Sequence, residues 1–334
     1  MVGHEVNETI YETLEKTLTE SDARILKACL GMTWSFCEIE SIHRPALGFA
    51  QTPGLATRTL TWPGNLRGSF ARDYALWITS WDFYQATLAL ALCNAQINHD
   101  KNPLYQQSEI IEPRKNANLA IFEYFLPKIK DKNVVIIGRY PGIESLDIGE
   151  HCQIIERHPA GGDLPDPAAE YLLPNADWVF ISATSLINKT FPRLAELSQH
   201  AVSVLMGPSV PLLTCFEDYA IDYLAGIQVR DAHDAMCIAM EGGGTKLFEE
   251  SIRYVICDIS DKREKSLKQE IASTYAKRDN LKKDMESWYL ESKNGSKKFP
   301  GRSELDKTDT RLSRLDTAYK RLWDAKNSGD KPCL

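Results

Sequence analysis

The feature that most constrains the fold is a series of short, uninterrupted apolar runs in the middle of the chain. The clearest runs span residues 133–138 (NVVIIG), 177–182 (DWVFIS) and 202–206 (VSVLM), and shorter ones span 152–156 and 227–229. Helical patterns separate them. Continuous apolar strands that alternate with helices are typical of a parallel sheet covered on both faces. The sequence therefore predicts an α/β fold for this part.

The helices between these strands follow from the spacing of their apolar residues. One precedes the first strand, three lie between later strands, and a long one closes the series. The predicted spans are 119–130, 167–173, 191–200, 211–224 and 245–259.

The residues ahead of this α/β part have a different pattern. An amphipathic helical pattern covers 6–30, with a break near 19–22, and 31–62 is rich in β-forming and turn residues. A long helical zone then covers 70–98. This order of elements predicts a small α+β domain.

The charge changes sign near residue 260, although the whole chain of 334 residues has a net charge of -7. Residues 261–334 contain 19 basic and 13 acidic side chains, and the preceding 260 contain 20 and 33. Two charged helical patterns, 262–289 and 303–323, predict a helical hairpin. We therefore divide the chain into an α+β domain (1–115), an α/β domain (116–260) and a basic hairpin (261–334).

Composition excludes several classes of protein. The sequence contains no run of 18 or more apolar residues, the length needed for a membrane-spanning helix. The polar, acidic N-terminus lacks the pattern of a secretion signal, which predicts a cytoplasmic protein without membrane attachment. The eight cysteines are scattered and form no C-x-x-C pair, which argues against a zinc ribbon or a disulfide framework. The excess of acidic side chains in residues 1–260 argues against nucleic acid as the main ligand.

The turn after the first strand of the α/β domain is the first candidate site. Gly138, Arg139 and Gly142 lie in this turn, and Glu156 ends the next strand. Such turns bind phosphates or adenosine groups in α/β sheets, and an acidic residue at the second strand can accept hydrogen bonds from ribose. The spacing G-x-x-x-G differs from the dinucleotide fingerprint, so NAD is disfavoured. A plain turn with a surface glutamate explains the same residues.

Three further segments follow strands or precede a helix, and all are predicted at the carboxyl edge of the sheet. Hydroxyl and amide side chains there suit a polar ligand, although helix capping also uses such residues. A triple glycine suits an anion at a helix N-terminus or a flexible hinge. The candidate ligand-binding residues in these segments are Thr184, Ser185, Asn188, Gly207, Pro208, Ser209, Gly242, Gly243 and Gly244.

One pair of residues has the spacing of metal ligands. His233 and Cys237 are four residues apart on a predicted helix, so both side chains can reach one ion. The same helix is otherwise mostly apolar, and a buried cysteine beside a hydrogen-bonded histidine is the simpler explanation. No Ser-His-Asp set and no P-loop is recognisable.

Several of these motifs resemble the heavy-metal chelation family DUF364, most specifically ATSLINKT (183–190) and MGPSVPL (206–212). The upstream segments ALGFA (46–50) and LALALCNAQIN (88–98) resemble its usual N-terminal partner, DUF4213. The resemblance implies an atypical Rossmann-like domain behind an enolase-N-terminal-like one, with a cleft between them. Residues 261–334 are outside the resemblance.

Three functions fit these observations. The first is binding of a metal ion or a small metal-chelating compound at the carboxyl edge of the sheet, in metal homeostasis or metallocofactor assembly. The second is an enzyme that uses a nucleotide-like cofactor such as S-adenosylmethionine to make or modify a chelator, although no general base is evident. The third is an adaptor that docks an acidic protein partner through residues 261–334. The sequence leaves open catalysis, the catalytic residues, the metal and the association of chains.

Overall fold

The computed structural model of the chain describes residues 9–42, 46–56, 58–62, 64–291 and 298–327. The predicted start of the first helix (6–8) and most of the predicted hairpin connector (292–297) lie outside the described residues.

The N-terminal part is a small α+β unit. Its elements are α1 (Ile10–Thr19), β1 (Ile25–Cys29), β2 (Trp34–Ile39), β3 (Leu47–Gln51), a 3-10 helix (Ala71–Thr79) and α2 (Phe83–Ile97). The three strands form an antiparallel sheet in chain order, and α2 packs against it. Almost every residue of α2 is buried, because its other face contacts the second part of the chain.

The second part is an α/β unit with one large sheet. Its elements are α3 (Pro103–Gln107), β4 (Glu109–Ile110), α4 (Ala120–Ile129), β5 (Val134–Ile137), β6 (Cys152–Ile155), α5 (Ala169–Leu172), β7 (Trp178–Ser182), α6 (Thr184–Ile187), α7 (Phe191–Leu197), β8 (Val202–Met206), β9 (Tyr223–Val229), α8 (Ala232–Met240) and β10 (Ile252–Asp258). The seven strands lie in the order β4-β10-β9-β8-β7-β5-β6. β5 to β9 pair in parallel, and β10 is antiparallel to both β9 and β4. The predicted α/β class with a mainly parallel sheet is confirmed.

Two predicted helices are wrong, and a third is wrong in its second half. Residues 245–259 form a short 3-10 turn (Thr245–Phe248) and then β10, because the run IRYVIC is rich in β-branched and aromatic residues. The span 211–224 holds a 3-10 turn that ends at Ala220, whose φ of 54° breaks the helix, and then the start of β9. The first helix ends at Thr19, and the residues from Ile25 form β1.

The two units are joined by amides on α2. Asn94 Nδ2 donates to the carbonyl oxygens of Phe49 (2.8 Å) and Pro208 (3.4 Å). Asn98 donates to the Val210 carbonyl and accepts from the Leu212 N–H, both at 3.0 Å. These buried hydrogen bonds fix the loop after β8 against the first unit. They therefore position the cleft between the units.

The C-terminal part is the predicted hairpin, with α9 (Asp261–Glu291) and α10 (Arg302–Asn327). Leu267, Leu315, Ala318 and Leu322 form a small apolar cluster of its own. The hairpin contacts the α/β unit at its base, where the buried Arg263 and Asp222 form an ion pair. We keep the boundaries at 115 and 260 as predictions.

None of the helices in the described parts of the chain combines the length and apolar character needed to span a bilayer. The seven cysteines that the structure describes are free thiols, and three of them (Cys37, Cys93 and Cys257) are buried.

Candidate functional site

A cavity of about 400 Å³ lies where the carboxyl ends of β5, β7 and β8 face the first unit. The order of the strands reverses at β5, because β6 lies on one side of it and β7 on the other. Open α/β sheets bind ligands in the crevice outside such a reversal. The first unit closes this crevice with the ends of β1–β2 and β3, through residues such as Thr33, Trp34 and Thr52.

Nine of the thirteen predicted ligand-binding residues line this cavity. They are Gly138, Arg139, Glu156, Thr184, Asn188, Gly207, Pro208, Ser209 and Gly244. The other four, Gly142, Ser185, Gly242 and Gly243, lie outside its lining.

Gly138 sets the floor of the cavity. Its φ is 97°, in the left-handed region, and a Cβ added to it would lie 3.1 Å from the Cβ of Ser182 on the next strand. Only glycine therefore fits here without strain. The missing side chain keeps the crevice between β5 and β7 open.

The charged residues of the first turn are already paired. Glu156 accepts backbone N–H groups from Arg139 (2.8 Å) and Arg157 (2.7 Å), so its carboxylate stabilises the turn itself. The Arg139 guanidinium forms ion pairs with Glu144 and Asp163. The positive charge of Arg139 is therefore largely neutralised before any ligand binds beside it.

The hydroxyl-rich segment after β7 contributes one wall. Thr184 Oγ1 donates to Ser182 Oγ at 3.0 Å, and both side chains line the cavity. Asn188 Oδ1 accepts the N–H and the hydroxyl of Thr190, in the turn just before α7. Neither α6 nor α7 has a side-chain N-cap, so local turn hydrogen bonds, and not helix capping, occupy part of this segment.

A second cavity of about 420 Å³ adjoins the first and shares Gly138, Glu156, Thr184 and Asn188 with it. Ser185, whose buried hydroxyl has no hydrogen-bond partner among the described residues, lies here. So does Lys189, whose ammonium donates to the Ile78 carbonyl of the first unit. Burial lowers the pKa of Lys189 to about 8.

The residues after β8 hold the two units together at the cavity. Ser209 Oγ accepts the backbone N–H of Gln51, at 2.9 Å, and the Pro208 carbonyl accepts from Asn94. A side chain that the sequence offered as a ligand contact therefore makes an interdomain hydrogen bond.

The triple glycine ends α8. Gly242 has a φ of 81°, and the N–H of Gly243 donates to the Ile238 carbonyl at 2.8 Å. This is the Schellman arrangement, in which a left-handed glycine follows a helix. No long helix begins after it, so the predicted anion site at a helix N-terminus is not formed. Gly244 alone reaches the cavity, and its carbonyl accepts from Trp34 Nε1 at 2.9 Å.

Sequence reasoning missed an aromatic wall. Trp34, Phe83, Tyr140, Phe248 and Tyr254 all line the cavity, and Phe248 stacks on Tyr254 at 5.1 Å. Tyr140 is two residues after Gly138, so the predicted site in this turn could have indicated that Tyr140 lines the cavity. Tyr254 lies in a strand that was predicted as helix, and Trp34 comes from the other unit.

Two of these aromatic residues carry buried hydroxyls. No described residue forms a hydrogen bond with the Tyr254 hydroxyl. The Tyr140 hydroxyl lies beside Ser182 without a hydrogen bond of normal geometry. Burial raises the pKa of both phenols far above the ordinary value, so both are neutral donors at physiological pH.

The predicted metal ligands lie apart from this cavity. His233 and Cys237 are on α8, with Cys237 Sγ 3.8 Å from His233 Nε2. Within the described ranges, no three His, Cys, Asp or Glu side chains are grouped so that they could hold a metal ion.

Comparison with known proteins adds family relationships. Residues 11–97 match the model of the family DUF4213 and residues 120–258 match that of DUF364, both described as "Putative heavy-metal chelation". An uncharacterized protein of Methanocaldococcus jannaschii is 23% identical over 262 residues, which cover 75% of this chain and 95% of that protein.

Two crystal structures of DUF364 family proteins of unknown function are similar. The one from Desulfitobacterium hafniense is 28% identical, with a TM-score of 0.61, over 75% of this chain and 96% of that chain. The one from Pyrococcus horikoshii is 20% identical, also with a TM-score of 0.61, over 75% of this chain and 100% of that chain. Both family matches end before α9, so the hairpin is an addition to them. Residues 11–258 are therefore similar to these two families, with the DUF4213 match ahead of the DUF364 match.

Proposed function

We propose that the cavity between the two units binds a small organic metal chelator, alone or with its metal. The donor set supports a compound rather than a bare ion. The lining offers hydroxyls, backbone groups and aromatic rings. Among the described residues it brings together no three metal-ligating side chains. The family description points to the same chemistry. We extend the proposal to a role in metal homeostasis or in the assembly of a metallocofactor.

The observation that carries this proposal is the unpartnered Tyr254 hydroxyl. Tyr254 is 1% exposed, yet its ring lines the cavity. A buried polar group without a partner destabilises the empty protein, and a ligand with a polar atom at that point relieves the penalty. An aromatic wall with a few hydroxyls is the usual lining of a small-molecule site.

The first experiment is native mass spectrometry of protein purified without oxygen, together with elemental analysis of the same sample. A bound organic mass, with or without metal, supports the proposal, and the elemental analysis identifies any metal it carries. If the protein is purified empty, its thermal midpoint is measured with Fe³⁺–citrate, Ni²⁺–histidine and Cu²⁺–histidine, each beside its separate components. Stabilisation by a complex or by the organic component supports the proposal, and stabilisation by neither contradicts it.

The variant Tyr254→Phe removes only the hydroxyl. We expect the empty protein to gain about 1 kcal/mol in the free energy of unfolding, because an unsatisfied buried group is lost. We expect affinity for the ligand found above to fall severalfold. Tyr171→Phe is the matched control, since Tyr171 is 78% exposed and lies outside the cavity. Equal affinity in the two variants would contradict the assigned contact.

A second candidate is an enzyme that uses a nucleotide-like cofactor such as S-adenosylmethionine. The observation that favours it is the pair of adjoining cavities, which share Glu156 at the end of β6. One cavity could hold a cofactor and the other a substrate. Calorimetric titration with S-adenosylmethionine tests it, and absence of binding at millimolar concentration rejects it.

A further inference from the structure

The outward face of α8 carries three soft or borderline metal donors. His233, Cys237 and Met240 are spaced by four and three residues, so they fall within an arc of about 60° on the helix. His233 and Met240 are exposed and Cys237 is half-buried. All three side chains can therefore be reached from solvent, and none of them lines the cavity described above.

The distance between the first two donors fits one shared ion. Typical metal bonds of about 2.3 Å to sulfur and 2.0 Å to nitrogen place the two atoms about 3.5 Å apart at a tetrahedral angle and about 3.7 Å apart at a trigonal one. Cys237 Sγ and His233 Nε2 are 3.8 Å apart. The pair is thus already spaced for a trigonal ion, which needs one more ligand.

Thioether groups are available to complete the coordination. The Met240 side chain is 56% exposed and that of Met32, from the first unit, is 86% exposed. Met32 Sδ lies only 3.2 Å from where a Cβ on Gly242 would be, so this second thioether sits at the end of α8. Both thioether sulfurs are on side chains that solvent and a dissolved ion can reach.

We propose that this face of α8 binds one thiophilic monovalent ion, of the Cu⁺ class, through His233 Nε2, Cys237 Sγ and the Met240 thioether. Cysteine and methionine sulfur select Cu⁺ over harder ions. The Cys237 thiol gives up its proton to solvent when the sulfur binds the ion. A stable Zn²⁺ site usually takes four ligands of the nitrogen, thiolate or carboxylate type, which this face does not supply.

The test is an anaerobic titration of the full chain with Cu⁺ against a chromophoric Cu⁺ chelator, with Ag⁺ in native mass spectrometry as a redox-inert probe. We expect one tight ion per chain. Cys237→Ser should weaken binding at least about 100-fold, since loss of even an outer-shell partner commonly weakens metal binding 10- to 100-fold. His233→Ala should weaken it about 10-fold or more, and Met240→Leu by less.

Cys152→Ser is the matched control, because Cys152 is another half-buried thiol, on β6. It should leave the affinity unchanged. If His233→Ala and Met240→Leu bind as tightly as the wild type, the ion is held by a single thiol and the proposal is wrong. If Cys152→Ser lowers the affinity as much as Cys237→Ser, the proposal is equally wrong. Thermal midpoints of all variants separate lost binding from lost folding.

This site is independent of the proposed function of the cavity. Tyr254→Phe should leave Cu⁺ and Ag⁺ affinity unchanged, and Cys237→Ser should leave binding in the cavity unchanged. The results that contradict the α8 proposal therefore differ from those that contradict the cavity proposal.

Discussion

The central strands of the large sheet and the C-terminal hairpin are held in the structure by different kinds of contact. All five residues of β7 and all five of β8 are buried, whereas α9 buries only three of its 31 residues. The hairpin is attached through charged groups: Arg263 pairs with Asp222, Arg321 with Asp177, and Lys128 donates to the Ala325 carbonyl. The body, which is the two units before α9, depends on shape and apolar contact. The hairpin is attached mainly by a few polar contacts, with Ala325 of α10 packed in the apolar core of the α/β unit.

This difference predicts where each part is fragile. Close packing makes the body sensitive to any added atom in its interior. A buried ion pair makes the base of the hairpin sensitive to loss of one partner, while exposed pairs along its length contribute little. Four predictions follow from the comparison, in order of effect.

The largest effect is expected from Arg263→Met. It leaves the Asp222 carboxylate buried without its cation, and breaking such a pair destabilises proteins by about 3–5 kcal/mol. Urea denaturation measures the loss. The double variant Arg263→Met/Asp222→Asn removes both charges and should be more stable than the single variant. A double variant that is less stable than the single one would show that charge is not what holds the hairpin.

Gly48→Ala should destabilise the body by about 3 kcal/mol, the upper end for overpacking. A Cβ on Gly48 would lie 2.1 Å from the Ala91 carbonyl oxygen and 2.2 Å from the Ala95 nitrogen, both backbone atoms of α2. Gly54→Ala is the control, because its Cβ would have no neighbour within 4 Å. Equal urea midpoints for the two variants would contradict close packing at α2.

Acid should recover part of the loss in Arg263→Met. Burial raises the pKa of Asp222, and Arg263 opposes this rise, so the pKa is higher still in the variant. The folded variant then keeps its proton at a pH where the unfolded chain has lost it. The stabilisation that comes from this retained proton on Asp222 is fully present below the ordinary aspartate pKa of about 3.9. It is lost as the pH rises through the pKa of Asp222 in the folded variant. The deficit against the wild type should therefore be smaller at pH 5 than at pH 8, and a deficit independent of pH would contradict this cause.

The smallest effect is expected from Lys277→Ala. Lys277 and Glu304 pair along the hairpin at 2.8 Å, but both side chains are 56% exposed. Solvent screens such pairs, so the urea midpoint should not change measurably in either low or high salt. A clear shift of the urea midpoint would show that ion pairs stabilise the hairpin along its whole length and not only at its base.

Much of the sheet was predictable because its central strands are continuous apolar runs. The runs at 134–137, 178–182 and 202–206 have no helical alternative of sufficient length, and a glycine or a charged residue lies directly at one end of each. The edge of the cavity in the second unit was predictable for the same reason, since parallel strands end together. β10 was not, because its apolar run follows Glu249 and Glu250 and lacks a turn signal in front.

The opposite wall of the cavity depends on how the two units dock. Trp34 and Thr52 come from strands of the first unit, and no local pattern shows that they face Gly138. The triple glycine shows a different limit. A glycine that ends a helix and a glycine that approaches an anion have the same sequence signal, and only the φ of Gly242 and the hydrogen bond of Gly243 separate them.

The carboxylate of Asp222 also has an evolutionary consequence. It accepts the Ser203 N–H inside the sheet, and its charge is tolerable there only while a guanidinium from outside the family region reaches it. A protein without the hairpin would therefore have to keep this aspartate protonated or carry a neutral residue in its place. Relatives that end at the last strand should have a neutral residue where this chain has Asp222, and transplanting the hairpin onto such a relative should require that single acidic substitution as well.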